Sequence, residues 1–242
     1  MSDQKHGVNV AEKDKTWMMF DRIAGTYDPL NRTLSMGIDT RWRKKVATFL
    51  PDLPQIRLLD LATGTGDLLI SLCRMEPRIN KAVGMDLSEG MLDIGRKKLK
   101  KMNFPEYASL ENGDACDIPA EDGSFDAVTI SFGIRNVPDV PQSLREMNRI
   151  LAPGGRALIL EFALPANALM RWGYLVYFRH ILPAIGSIVS GDRHAYSYLN
   201  QSVEAFPYGE EFCNMMKEAG FTNVKAHPLT FGIAMIYQGD KE

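Results

Sequence analysis

From Arg57 onward, short apolar runs alternate with helix-like patterns, and no other feature of the chain narrows its fold as far. "RLLDLA" predicts a strand and "GDLLISLCR" a helix. "KAVGMDL" predicts a second strand, and "SEGMLDIGRKKLKKM" a helix with Ser88 at its N-cap, where the hydroxyl accepts an otherwise orphaned N–H. "YASLENGDA" and "FDAVTISFG" supply two further strands, "VPQSLREMNRIL" a helix closed by "APGG", and "RALILEF" a fifth strand. Strands this apolar are covered on both faces, so the pattern predicts an α/β fold with a parallel sheet between two helical layers. "GEEFCNMMKEAGF" is a helix with a glycine stop, and "TNVKAHPL" and "FGIAMIYQGD" close the sheet as a strand pair.

Two amphipathic helices, "WMMFDRIAGTYD" and "IDTRWRKKVATFL", occupy residues 16–50 ahead of the first strand. Residues 164–208 break the rhythm and are expected to form an inserted helical cap. At 242 residues and 45% hydrophobic content, the chain can bury one large core over residues 16–242. The polar residues 1–15 are expected to fray.

A net charge of −2 gives no electrostatic reason to expect nucleic acid as a partner. Cys73, Cys116 and Cys213 are scattered, and His6, His180, His194 and His227 lack ligand spacing. Reduced thiols and no metal are therefore expected. The N-terminus has no apolar segment of the secretory kind. The most apolar window, residues 169–189, is interrupted by Arg171, Arg179, His180 and Pro183, so it is not read as a bilayer span. The expectation is a cytoplasmic protein that touches the inner face of the membrane transiently through this window. The runs "RWRKK" and "GRKKLKK" read as solvated helix faces.

In an open parallel sheet, ligands bind beyond the carboxyl ends of the strands where the connectivity reverses. The first strand ends in "ATGTGDLL", where Gly64 and Gly66 let bare backbone turn towards a ligand. Three details say which ligand. A dinucleotide site wants a third glycine three residues on, and Leu69 stands there. Asp67 opens the following helix, where its charge would repel a phosphate. Asp86 ends the second strand, placed to accept hydrogen bonds from both hydroxyls of a ribose. Asp114, after the third strand, can accept an adenine amino group. Together with Asp60, these acids describe a phosphate-free, positively charged nucleoside, and S-adenosylmethionine answers that description.

With those residues in place, residues 18–240 resemble the C-methyltransferases of menaquinone and ubiquinone biosynthesis. The resemblance rests on "MFDRIAGTYDPLNRTLSMGIDTRWR", "LDLATGTGD", "TISFGIRNVPD" followed by "LREMNRILAPGG", and "LPAIGSIVSGDRHAYSYLNQSVEAFP". It implies a seven-stranded, Rossmann-like class I methyltransferase sheet and methylation of a prenylated quinol at a ring carbon. It places cofactor contacts on Thr65, Asp86, Asp114, Ala115 and Ser131. Asp114 stands where relatives often carry Asn, and Asp39-Thr40 where a His-Arg pair is common. A homodimer is the assembly carried forward as an expectation.

Carbon methylation of a quinol needs a ring carbon made nucleophilic by loss of a hydroxyl proton. Arg135, in "FGIRN" beyond the fourth strand, stays protonated and so can stabilise the phenolate or orient a water, with Asn136 holding it. His180, Tyr196 and Tyr198 in the cap are alternative acid–base groups. Tyr27 and Asp28 are placed to close over the cofactor. The same features admit another small apolar acceptor, such as a sterol or phenol, or a non-enzymatic protein that only binds the nucleoside.

Overall fold

The structure is a computed structural model that describes residues 16–35, 37–181 and 193–242, apart from the side chains of residues 30, 34, 180, 181 and 193–197. The expected frayed segment, residues 1–15, the side chains of His180 and Tyr196, and residues 182–192 of the cap lie outside what it describes.

Seven strands form one sheet in the order β3-β2-β1-β4-β5-β7-β6. They are β1 (Ile56–Leu61), β2 (Ile79–Asp86), β3 (Ala108–Asn112), β4 (Phe125–Ser131), β5 (Leu151–Phe162), β6 (Thr222–Leu229) and β7 (Ala234–Asp240). The first five are parallel, and β7 runs antiparallel to both β5 and β6. The strand order reverses at β1, which pairs with β2 on one edge and β4 on the other.

The sheet sits between two layers. Leu59, Val128 and Ile159 point to one face, under α5 (Val140–Ile150) and α8 (Glu210–Glu218), with Leu144 and Phe212 fully buried there. Leu58, Ala127 and Leu158 point to the other, under α2 (Ile38–Ala47), α3 (Asp67–Met75) and α4 (Glu89–Lys101). Neighbouring residues on each strand thus feed opposite cores, which is why these strands read as continuous apolar runs. Ser88 caps α4 as expected, accepting from the Met91 N–H at 3.2 Å.

Two boundaries differ from the sequence expectation. α1 (Thr16–Leu34) runs past Asp28 and through Pro29, which forgoes one ladder hydrogen bond without ending the helix. "APGG" is not a separate turn: β5 starts at Leu151, and a register shift between the Phe125 and Ala127 pairings absorbs the extra residues. Gly154 takes φ 78° in that irregularity, a conformation open to glycine, and its N–H donates to the Lys241 carbonyl at 2.9 Å.

α6 (Ala168–Val176), a π turn over Tyr177–Ile181 and α7 (Arg193–Ala205) cover the carboxyl end of the sheet beside α1. Among the described residues, no helix is long and apolar enough to cross a membrane.

Candidate active site

The carboxyl ends of β1, β2 and β4 open into a cavity of about 110 Å³. Its wall contains Gly64, Asp86, Asp114, Ala115, Ser131 and Asn136, together with Thr16, Trp17, Phe20 and Tyr27 of α1. Gly64 takes φ 56°, and a side chain there would meet nothing within 4 Å, so the bend exposes backbone to open space. Its N–H donates to Asp86 Oδ2 at 2.8 Å, and the Ser88 N–H donates to Asp86 Oδ1 at 2.8 Å. A carboxylate has about four acceptor positions, so these N–H groups leave room for a ligand's hydroxyl donors. Burial pushes the Asp86 carboxyl above the usual range, against the pull of those N–H groups. Asp114 accepts from the Cys116 N–H at 2.8 Å. Among the described residues, Asp86 and Asp114 are the only charged groups on this wall. A cationic ligand fits such a wall; a pyrophosphate does not.

The other sequence-predicted cofactor residues sit behind the wall rather than on it. Asp60 is 1% exposed and accepts the hydroxyls of Thr63 and Thr129, each at 2.6 Å. Burial raises its carboxyl to about 6. It braces the turn from beneath. Thr65 donates to Asp28 Oδ1 at 2.7 Å and accepts from Lys98 Nζ at 2.7 Å. Gly66 caps α3 with φ 80°. Asp67, expected to face a cation in the pocket, is paired with Lys98 at 2.7 Å instead.

A second cavity, about 450 Å³, lies between α1, α2, the end of β5 and the cap. Its wall is largely apolar: Met19, Ile23, Trp42, Phe162, Tyr174 and Phe178 contribute, as does Tyr198. Tyr198 donates to Asn136 Oδ1 at 3.3 Å. Phe20, Tyr27 and Phe132 line both cavities, so the two spaces share one wall. Burial raises the Tyr27 phenol, opposed by the nearby charges of Arg135 and Arg43.

Arg135 opens into the larger cavity and is 5% exposed. Its Nη1 donates to the Phe132 carbonyl at 2.6 Å and to Glu161 Oε1 at 2.7 Å. Its guanidinium carbon stands 5.5 Å from the centre of the Phe162 ring. Glu161 is fully buried; burial raises its carboxyl, with Arg135 opposing. Sequence reasoning missed Glu161, although a lone acid inside "ALILEFAL" was a signal. It also took "RWRKK" for a solvated face, whereas Trp42 and Arg43 turn inward and are 7% and 8% exposed.

A family model described as the ubiE/COQ5 methyltransferase family matches residues 8–241. The chain is 40% identical over 230 residues to a demethylmenaquinone methyltransferase of Bacteroides fragilis, covering 95% of this chain and 94% of the relative. It is 46% identical over 223 residues to a demethylmenaquinone methyltransferase of Thermus thermophilus, covering 92% of this chain and all of the relative. Among solved structures, an S-adenosylmethionine-dependent methyltransferase from Thermotoga maritima superposes with a TM-score of 0.65. At 21% identity, over 93% of this chain and 99% of the other, that likeness speaks to the fold.

Proposed function

The chain belongs to the ubiE/COQ5 methyltransferase family, and from that premise we propose that it methylates a ring carbon of a prenylated quinol with S-adenosylmethionine, a step of respiratory quinone biosynthesis. One observation carries the reading. A small acid-lined cavity at the switch point of the sheet adjoins a large apolar one across Phe20, Tyr27 and Phe132. Methyl transfer needs two such compartments in contact, because donor and acceptor atoms must come to within about 3–3.5 Å in line.

S-adenosylmethionine supplies an electrophilic methyl group on a sulfonium. Asp86 holds the ribose hydroxyls, Asp114 the adenine amine, and Gly64, Ala115 and Ser131 bound the nucleoside; Asp60, Thr65 and Gly66 support the turn from behind. The protein's remaining work is at the acceptor. A hydroxyl O–H bond breaks, and the phenolate directs electron density to the neighbouring ring carbon. As the carbon–methyl bond forms, the sulfur–methyl bond would break, its electron pair returning to sulfur and S-adenosylhomocysteine leaving as a neutral thioether. The ring then loses the proton on that carbon and becomes aromatic again. Arg135 stabilises the phenolate and Glu161 holds the guanidinium in place from behind, while Asn136 acts on Arg135 only through the Phe132 carbonyl to which both donate. Water oriented by Arg135 takes the proton, with His180 the side-chain alternative. The quinol, not the electron-poor quinone, is the substrate.

The apolar wall suits a prenyl tail. The outer side of α6 exposes Leu169 and Trp172, and Phe231 stands out of the β6–β7 loop, which supports transient contact with the inner face of the membrane. A sterol would fill the same space but leave the buried guanidinium groups without an oxyanion.

The test is turnover by purified protein with S-adenosylmethionine and demethylmenaquinol kept reduced. Mass spectrometry is expected to show one added methyl on the ring. A folded protein that binds S-adenosylmethionine yet methylates no quinol would refute the reading.

A further inference from the structure

The larger cavity holds a second buried guanidinium. Arg43, from α2, is 8% exposed and pairs with Asp39, which Ser35 Oγ fixes with a hydrogen bond of 2.6 Å. The arrangement parallels that of Arg135 and Glu161. Each arginine uses Nη1 for its carboxylate, and neither Nη2 has a hydrogen bond among the described residues. Each stands over a ring of one aromatic pair: Arg43 is 5.8 Å from the centre of Phe132, Arg135 5.5 Å from the centre of Phe162. Those two rings are 4.5 Å apart and tilted by 33°. Both cations act on Tyr27, on the wall shared with the donor cavity.

Two ion pairs buried in an apolar wall cost more than hydrophobic residues of the same volume, so packing alone gives no reason for them. Arg43, Arg135, Phe132 and Phe162 all line this one cavity, however, so a flat ring held there has two guanidinium groups in its walls. A 1,4-diol carries its two oxygens at opposite ends of the ring. Guanidinium N–H groups suit such oxygens because they donate in a fixed direction and stay charged.

We propose that Arg43, oriented by Asp39, is a second anchoring residue for the acceptor. Arg135 takes the oxygen beside the carbon to be methylated, Arg43 takes the opposite oxygen, and the pair selects 1,4-diols over monophenols. This rests on the quinol reading above. It assigns a use to Asp39 as well.

The experiment compares two acceptors, a 2-prenyl-1,4-naphthalenediol held reduced and its monomethyl ether capped on the hydroxyl beside the prenyl chain. The kcat/KM ratio of diol to ether is measured for the wild type, Arg43→Gln and Arg43→Lys. The wild type is expected to prefer the diol by about tenfold or more, the size of one hydrogen bond to a charged donor. In Arg43→Gln the diol should lose about tenfold more than the ether, mainly through KM, so that the ratio collapses towards one. Arg43→Lys, which keeps charge but not the planar fork, should fall between, and it serves if the Gln variant does not fold. An unchanged ratio in a folded, active variant overturns the role of Arg43 and leaves the quinol reading standing. A wild type that methylates neither acceptor overturns both.

Discussion

Arg135 and Glu161 are bound to each other inside an apolar setting, so removing one residue has two separable consequences. Arg135→Ala leaves the Glu161 carboxylate buried without its partner, which is expected to destabilise the fold by about 3–5 kcal/mol. It also removes the phenolate stabiliser, expected to lower kcat by on the order of a hundredfold. The pair variant Arg135→Gln with Glu161→Gln separates them, because no lone charge remains. Denaturant unfolding should show much of the stability restored while turnover stays low. Turnover within about threefold of wild type in that variant would remove Arg135 from the chemistry. Asp60 makes a different test. Its carboxyl rises from 3.8 to about 6 on burial, so the folded state binds the extra proton between those values. Its contribution to stability is therefore fully present at low pH and is lost as pH rises through 6. Unfolding free energy should fall by about 1.4 kcal/mol from pH 5 to pH 8 on this account. Asp60→Asn should lack that component, and parallel pH profiles for the two proteins would contradict it.

Helix α1 carries more of the site than any other element, since Phe20 and Tyr27 line both cavities. Besides the Thr16 hydrogen bond to Tyr198 and the Arg32 pair with Asp67, two aspartates fasten it to the helices and the glycine turn beyond the sheet. Asp21 accepts from Ser88 Oγ at 2.8 Å and from the Gly90 N–H at 2.7 Å, at the N-terminus of α4 where a carboxylate is favoured. Asp28 accepts from Thr65 and pairs with Lys98 at 2.5 Å. Lys98 thereby ties α1, the glycine turn and α3 together. Releasing either point should loosen α1 without touching the sheet. Asp21→Ala combined with Asp28→Asn is expected to weaken S-adenosylmethionine binding about tenfold by calorimetry, from hydrogen bonds of about 1 kcal/mol each. Hydrogen exchange should quicken across α1 while β1 and β4 stay protected. Unchanged affinity would mean that α1 is only a scaffold.

On the scale of the whole molecule, the two faces of α6 have different environments. Met170, Gly173 and Tyr174 face the apolar cavity, while Leu169 and Trp172 are 76% and 67% exposed. Phe231, 77% exposed, is held at φ 58° between Thr230 and Gly232. A left-handed backbone is costly for an aromatic residue, and here the strained position also projects an apolar ring into solvent. Trp172→Asp is expected to reduce co-sedimentation with anionic vesicles several-fold and to leave the melting temperature nearly unchanged. If the same surface instead joins two copies of the chain, sedimentation velocity will show a dimer that Trp172→Asp dissociates, with no vesicle effect.

What the linear order of residues decided is the fold and the smaller cavity. Strand and helix periods are local, so β1 to β5 and their helices follow from patterns a few residues long. Gly64, Asp86, Asp114, Ala115 and Ser131 come together because each lies just beyond a strand end, and parallel strands put all such ends on one edge. Residues outside that rule could not be placed in this way. Asp60 and Asp67 lie near the same edge, yet their side chains turn to Thr63, Thr129 and Lys98, which only packing determines. Glu161 and Arg135 are separated by 26 positions, and Arg43 sits in a run of basic residues that looks solvent-facing. Their burial against Phe132 and Phe162 depends on how α1, α2 and the cap close over the sheet. That closure joins elements distant in sequence, and no local pattern encodes it.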